Sequence, residues 1–258
     1  MLRAFSVVYW AYAVAIMPPL MAGAILIWLV TLPFDRRRVV LHLYSCVWGS
    51  LYVWSNPLWR VRIEGREKLP WKGPAVLVAN HLSLLDILVL YDLFRPFKWV
   101  AKAELFKVPF VGWNMWINDY VRVLRGDRES IKEMMDHCRR HLARGTPVLL
   151  FPEGTRSQDG RLQRFKDGAF RLATDAGCPL FPIAISGTFD ALPKHGLVMR
   201  DRARILVKVL EPLHPQDFAS SDALRDAARA AIAAALPEPA RGDAGAPVAA
   251  PRRQTRQA

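Results

Sequence analysis

Two stretches of the chain put titratable side chains directly after apolar runs. In the first, Val76-Leu77-Val78-Ala79-Asn80-His81-Leu82-Ser83-Leu84-Leu85-Asp86, a strand-like segment ends on a histidine, with an aspartate five residues on. An imidazole that donates from one nitrogen to a buried carboxylate has a fixed tautomer, and its second nitrogen is free to take a proton as a general base. A five-residue offset does not place two side chains on one face of a continuous helix, so the chain must turn between them. Ser83 is suited to cap a helix over 84–94, leaving His81 in the preceding loop and Asp86 in the first turn. The same residues fit the capping-box pattern loosely, and on spacing alone Asp86 would serve a helix terminus equally well.

The second stretch is Val148-Leu149-Leu150-Phe151-Pro152-Glu153-Gly154-Thr155-Arg156-Ser157. Here a buried strand empties into a loop holding a carboxylate, a glycine, a hydroxyl and a guanidinium. Glycine permits a tight backbone approach, and arginine presents a planar fork of donors that matches a phosphate. In isolation such a loop reads as a Pro-Gly turn with solvated charges. Two strand ends of this kind shift the reading, because ligands of open α/β sheets gather outside the carboxyl ends of the strands.

The elements that would position these loops follow from the pattern. Apolar strand candidates lie at 75–79, 98–101, 120–124, 147–151, 180–186 and 204–210, and helix candidates at 84–94, 127–143, 165–176 and 221–236. That alternation predicts an α/β domain with a mixed, mostly parallel sheet flanked by helices, over residues 61–236. After Pro237 the composition turns to Pro, Ala, Gly, Arg and Gln with little to bury, which predicts a disordered basic tail over 237–258.

Residues 1–60 read differently. No charged residue occurs from Ala4 to Phe34, a length that can cross a bilayer, although Pro18-Pro19 disfavours a straight helix. Arg36-Arg37-Arg38 follows, and by the positive-inside rule this end, with what comes after it, is expected on the cytoplasmic face of the inner membrane. A second uncharged stretch, 39–59, carries His42, Ser45, Gly49, Ser50 and Asn56 mostly at helical steps, a small or polar stripe suited to packing against a neighbour. Trp48, Tyr52, Trp54 and Trp59 are expected at the headgroup level. The whole is read as a membrane-embedded two-helix hairpin, so removing everything before Val61 is expected to solubilise the domain.

A formal charge of +13 calls for an anionic partner. No helix-turn-helix, finger or RNA-binding signature is visible and the basic residues are scattered, so the anionic membrane surface is expected and nucleic acid is not. Cys46, Cys138 and Cys178 are widely spaced, which argues against a disulfide framework and a zinc site.

At this point the chain resembles a known family. Asn80-His81-Leu82-Ser83-Leu84-Leu85-Asp86 is similar to the N-H-x-x-x-x-D block, and Phe151-Pro152-Glu153-Gly154-Thr155-Arg156-Ser157 to the F-P-E-G-T-R-S block, of the 1-acylglycerol-3-phosphate O-acyltransferases. Tyr120-Val121-Arg122-Val123-Leu124-Arg125-Gly126-Asp127-Arg128 resembles the family's second block and Phe181-Pro182-Ile183-Ala184-Ile185-Ser186-Gly187-Thr188 its fourth. Asp119 and Leu124 depart from the second block, where the family often carries glycine and aspartate, leaving another acceptor headgroup open. The resemblance implies His81 and Asp86 as the catalytic pair. It implies Lys102, Arg125, Glu153, Gly154, Thr155 and Arg156 as substrate-binding residues, Arg156 with Lys102 and Arg125 on the acceptor phosphate and Glu153 orienting these cations or the acceptor's polar groups. Backbone amides near Gly154 are expected to stabilise an oxyanion, and Lys166 is a further phosphate candidate. It implies no metal and no cofactor, only an acyl donor that is the thioester of coenzyme A or of an acyl carrier protein. The expected reaction is acyl transfer to the sn-2 hydroxyl of 1-acylglycerol 3-phosphate. The alternatives are the same chemistry on a lyso-ornithine lipid or other lysophospholipid, and a non-catalytic basic protein that binds membranes.

Overall fold

The computed structural model describes residues 2–192, 198–199 and 202–240. Seven strands form one sheet among these residues: β1 (Trp59–Glu64), β2 (Val76–Ala79), β3 (Lys98–Lys102), β4 (Val121–Val123), β5 (Val148–Leu150), β6 (Leu180–Ser186) and β7 (Ala203–Val209). Their order is β1-β7-β6-β2-β5-β3-β4. Every pair is parallel except β6 with β7. This is the mixed, mostly parallel sheet that the sequence pattern predicts. The central strand β2 is buried on both faces, which explains why it reads as a continuous apolar run rather than an alternating one.

Helices cover the sheet. α4 (Leu85–Tyr91), α5 (Val111–Ile117), α6 (Arg128–Ala143), α7 (Gly168–Asp175), the short α8 (Thr188–Ala191) and α9 (Ser221–Ala235) follow the strands in turn. α6 begins with Asp127 accepting from the Ser130 N–H, and α9 with Ser220 accepting from the Ala223 N–H, each satisfying one donor at a helix start. Leu224, Ala228 and Ile232 of α9 form a buried stripe at helical spacing.

Two expectations of local structure are corrected. α4 starts at Leu85 and stops at Tyr91 rather than running 84–94, and Ser83 turns its hydroxyl to the Leu192 carbonyl at 2.5 Å while accepting from the Leu85 N–H at 3.2 Å. The sheet also gains an edge strand, β1, whose exposed Arg60 and Arg62 hide it from a search for apolar runs. Of the tail read from Pro237, Glu238–Ala240 is one 3-10 turn whose Ala240 carbonyl accepts from Leu162 N at 3.0 Å; residues 241–258 lie outside the described residues.

The amino-terminal segment is a hairpin. α1 (Leu2–Ala15) and α2 (Met17–Thr31) make one apolar helical stretch, long and apolar enough to cross a membrane, broken near Ile16 where Pro18-Pro19 open the second segment. α3 (Val39–Trp54) returns antiparallel: Tyr44 reaches the Leu20 carbonyl, Tyr52 reaches that of Ala13, and Tyr9 bonds back to Tyr52. The small and polar stripe of α3 is buried. His42 meets the Tyr120 hydroxyl at 2.7 Å, Ser45 meets Asn114 at 3.2 Å, and Gly49 lies against the Tyr91 ring. Of the four rings expected at the headgroup level, Trp54 is exposed. Trp48, Tyr52 and Trp59 are buried, because Trp48 Nε1 donates to the Tyr52 hydroxyl inside the fold and Tyr9 packs edge-on against Trp59.

Candidate active site

Parallel strands aim their carboxyl ends the same way, and this sheet uses five adjacent ones. β6, β2, β5, β3 and β4 deliver Thr188, His81, the loop 151–157, Lys102 and Arg125 to one edge. Asn80 sets the first of these. Its side chain donates to the Ile185 carbonyl at 2.9 Å and accepts from the Ile185 N–H at 2.8 Å, extending the β2–β6 ladder by a side-chain rung before the chain turns to His81.

The turn brings His81 Nδ1 within 2.8 Å of Asp86 Oδ2. The same oxygen accepts from the N–H groups of Leu82 at 2.6 Å and Ser83 at 2.8 Å, and Asp86 Oδ1 accepts from the Thr188 hydroxyl at 2.5 Å. Asp86 is wholly buried, and this set of donors satisfies the desolvated carboxylate. The two readings of Asp86 therefore coincide, since it ties down the start of α4 and orients the imidazole together. A carboxylate surrounded by donors has only lone pairs to offer, so Nδ1 carries the imidazole proton and Nε2 is the basic nitrogen. The Phe151 ring stacks on His81 with centroids 3.9 Å apart and planes at 13°, and Trp99 stacks on Phe151 in turn.

The second stretch docks on the first through backbone and side chain. Ser157 N–H donates to the His81 carbonyl at 2.8 Å, and Glu153 Oε1 accepts the His81 N–H at 2.9 Å. Glu153 is thus turned inward, in place of the expected role orienting the basic side chains. Burial pushes its carboxyl up to about 8, the His81 N–H opposing and the Asp86 charge adding to the rise. The amides near Gly154 expected to meet an oxyanion are also corrected in part, because the Gly154 N–H is committed to the Phe151 carbonyl at 3.0 Å. Gly154 adopts φ 72°, and a side chain there would collide with the Lys166 ammonium, which lies over it.

The expected phosphate ligands fall into two groups. Lys102 and Arg125 line the same cavity as His81. Thr155 and half-buried Arg156 border an adjoining polar hollow with Gln158 and Arg161. Burial lowers the Arg125 pKa from its ordinary value, Glu104 opposing and the Arg156 charge adding to it, so the two guanidinium groups lie within electrostatic reach. Lys102 pairs with Glu104 at 3.0 Å on the surface.

Behind His81 the cavity of about 340 Å³ runs between the sheet and the hairpin, walled by Trp10, Trp48, Leu88, Tyr91, Trp99 and Met115. Its walls are almost wholly apolar, and its charged groups, Lys102 and Arg125, belong to the strand-end loops. Asn80, Phe151 and Thr188 lie inside the sequence blocks with no role that the sequence assigns; the signal is the position of each just after a strand, and what each touches depends on the fold.

Residues 60–186 match the family model described as Acyltransferase. The chain is 37% identical to a 1-acyl-sn-glycerol-3-phosphate acyltransferase of Chlamydomonas reinhardtii over 90% of its own length and 69% of that protein. It is 36% identical to a chloroplastic 1-acyl-sn-glycerol-3-phosphate acyltransferase of Arabidopsis thaliana over 78% of its length, but spans only 55% of that relative. Among solved structures it is similar to the 1-acyl-sn-glycerophosphate acyltransferase PlsC of Thermotoga maritima, with a TM-score of 0.72, 27% identity, and coverage of 90% of this chain and 95% of the other. A histidine–aspartate pair at the strand ends of a matching fold, together with these relatives, places the chain in the 1-acyl-sn-glycerol-3-phosphate acyltransferase family.

Proposed function

We propose that this acyltransferase moves a fatty acyl group from a thioester to the sn-2 hydroxyl of 1-acylglycerol 3-phosphate, giving phosphatidic acid, with His81 as general base. The observation that carries this reading is the His81–Asp86 pair at 2.8 Å on the wall of an apolar cavity that Lys102 and Arg125 also line. His81 Nε2 takes the proton of the acceptor hydroxyl as its oxygen attacks the thioester carbonyl. The tetrahedral oxyanion then collapses, the C–S bond breaks, and His81 returns the proton to the departing thiolate. A positioned base of this kind contributes about 10²–10⁴-fold. No acyl-enzyme is needed. Cys138, the thiol nearest in sequence to the loop 151–157, is buried on α6, where burial pushes it up to about 12.

The apolar cavity takes an acyl chain, while Lys102, Arg125 and Arg156 hold the acceptor phosphate. Drawing a long-chain lysolipid wholly out of a bilayer would cost on the order of 12 kcal/mol at about 0.8 kcal/mol per CH₂, so the enzyme works at the membrane. The hairpin and the basic surface bind it to the cytoplasmic face of the inner membrane. The donor is coenzyme A or acyl carrier protein thioester, and no cofactor takes part.

The test is acyl transfer by the full chain and by His81→Ala in mixed micelles with 1-acylglycerol 3-phosphate and each donor. Phosphatidic acid from wild type, reduced at least about 100-fold in the variant, is expected. No product from folded wild type with either donor would overturn the acceptor assignment and turn attention to lyso-ornithine and other lysolipids, while equal product from both proteins would overturn the role of His81.

A further inference from the structure

Away from the acyl-transfer site, three potential ligands meet at the start of β4. His137 and His141 stand one turn apart on α6, their rings stacked with centroids 4.7 Å apart, and both present Nε2 to Asp119. His137 Nε2 lies 3.3 Å from Asp119 Oδ1 and His141 Nε2 lies 3.7 Å from Oδ2, and the three ligand atoms are within 4.8 Å of one another. Four donors held tetrahedrally at 2.0–2.1 Å stand about 3.3–3.4 Å apart, so a small inward movement closes this set on one ion. The wide spacing of the cysteines has no bearing on a site built from an i, i+4 histidine pair.

We propose that Asp119, His137 and His141 bind a divalent transition-metal ion of the zinc class, with water in the fourth position. Two imidazoles and one carboxylate suit zinc or its neighbours and not calcium or magnesium, which take oxygen ligands. His141 is buried while Asp119 and His137 are partly exposed, giving the ion a fixed inner ligand and an open side for water. His141 Nε2 donates to the Asp119 carbonyl at 2.9 Å; on binding, this proton passes to Nδ1 and the freed lone pair of Nε2 meets the metal, with no net proton released. Asp119 already holds an unusual backbone for a non-glycine residue, φ 59°, with its N–H bonded to the Trp116 carbonyl at 3.0 Å. Lys98 and Arg38 lie within electrostatic reach of the carboxylate and oppose a second cation, which sets the affinity below that of a Cys-rich structural zinc site.

The role is mechanical. Asp119 joins α5 to β4, and Arg38 of the hairpin donates to the Trp116 and Ile117 carbonyls at the end of α5 at 3.2 and 2.8 Å. A metal at Asp119 therefore clips α6 to the junction on which the hairpin is anchored and from which β4 runs towards Arg125.

The experiment is titration of the full chain, purified in detergent with any affinity tag removed, with Co²⁺ alone, followed by displacement with Zn²⁺. One Co²⁺ per chain with visible d–d bands of tetrahedral strength, lost on adding Zn²⁺, is expected. In His137→Gln, a partly exposed position whose change leaves the core intact, affinity should fall at least about 100-fold, since even second-shell losses cost about 10–100-fold. His214→Gln, far from the cluster in sequence, should bind as wild type. Absence of a stoichiometric Co²⁺ complex in wild type, or equal affinity in His137→Gln, would overturn the site and leave the three residues as an ion-pair cluster.

Discussion

The backbone N–H of His81 donates to Oε1 of Glu153 across 2.9 Å, joining two loops that lie 72 residues apart in the chain. His81 is therefore positioned at both ends, its ring by Asp86 and Phe151 and its main chain by Glu153. Among the described residues no hydrogen bond reaches the buried Glu153 Oε2, and burial pushes the carboxyl from an ordinary 4.5 up to about 8. Between those values the folded chain holds a proton that the unfolded chain has released. The contribution of Glu153 to stability therefore falls as pH rises through that window. Glu153→Gln keeps the size and the carbonyl acceptor but cannot ionise. Its melting temperature relative to wild type should rise steadily from about pH 5 to about pH 9. Glu153→Ala leaves the His81 N–H buried without a partner and should lose about 1–3 kcal/mol near pH 5, where the wild-type carboxyl is neutral, with the loss shrinking as pH rises towards 8. A wild-type and Gln pair whose difference does not change with pH would contradict the buried, neutral carboxyl.

Asp86 is expected to be least replaceable. Asp86→Asn presents an amide where four donors converge, so at least one donor loses its acceptor and the imidazole tautomer is no longer fixed. Activity should fall by about 10³–10⁴, as when the acid of a hydrolase triad is neutralised. Thr188→Val removes one neutral donor from Asp86 and should cost about tenfold, with Thr188→Ser restoring it; a net loss near 1.4 kcal/mol is what a hydrogen bond to a charged group provides. Rates at saturating acceptor, with melting curves to separate folding loss, decide both.

How far these features could be read beforehand depended on distance along the chain. Strands β2, β5 and β6 were legible because central parallel strands are continuous apolar runs, and the loops after them were legible because their polar residues break those runs abruptly. β1 was not, since Arg60 and Arg62 alternate with apolar residues on an edge. α5 is seven residues long and is preceded by Phe110 with φ 62°, straight after Pro109, a context that reads as a turn. The inward turn of Glu153 and the burial of Trp48 and Tyr52 against Ala13, Met21 and Ala24 depend on partners far away in sequence, and no local pattern encodes them.

The basic side chains should separate binding from chemistry. Arg156→Lys keeps the charge and loses the planar fork, so the acceptor concentration for half-maximal rate should rise about tenfold while the maximal rate changes little. Arg125→Lys, on the cavity beside His81, should behave likewise. An unchanged acceptor dependence in both variants would remove them from the phosphate site.

The hairpin packs into the core of the enzyme, and this alters what truncation can test. α3 packs on α4 and supplies Ser45, Trp48, Gly49 and Tyr52 to the cavity, while β1 begins at Trp59. Cutting before Val61 should therefore yield an aggregated chain in place of the soluble domain first expected from the sequence. A local probe is sharper. A Cβ added at Gly49 would stand 2.4 Å from Cδ2 of Tyr91, so Gly49→Ala must displace that ring or part the two helices. Overpacking of this kind costs about 1–3 kcal/mol. Because both residues line the cavity, the variant should also shift donor preference towards shorter chains. Tyr91→Leu removes the obstructing ring, and combined with Gly49→Ala it should recover more stability than the two separate changes predict when added, with a coupling of about 0.5–3 kcal/mol. Strict additivity in denaturant unfolding, with an unchanged chain-length profile, would show that the hairpin does not close the cavity through this contact.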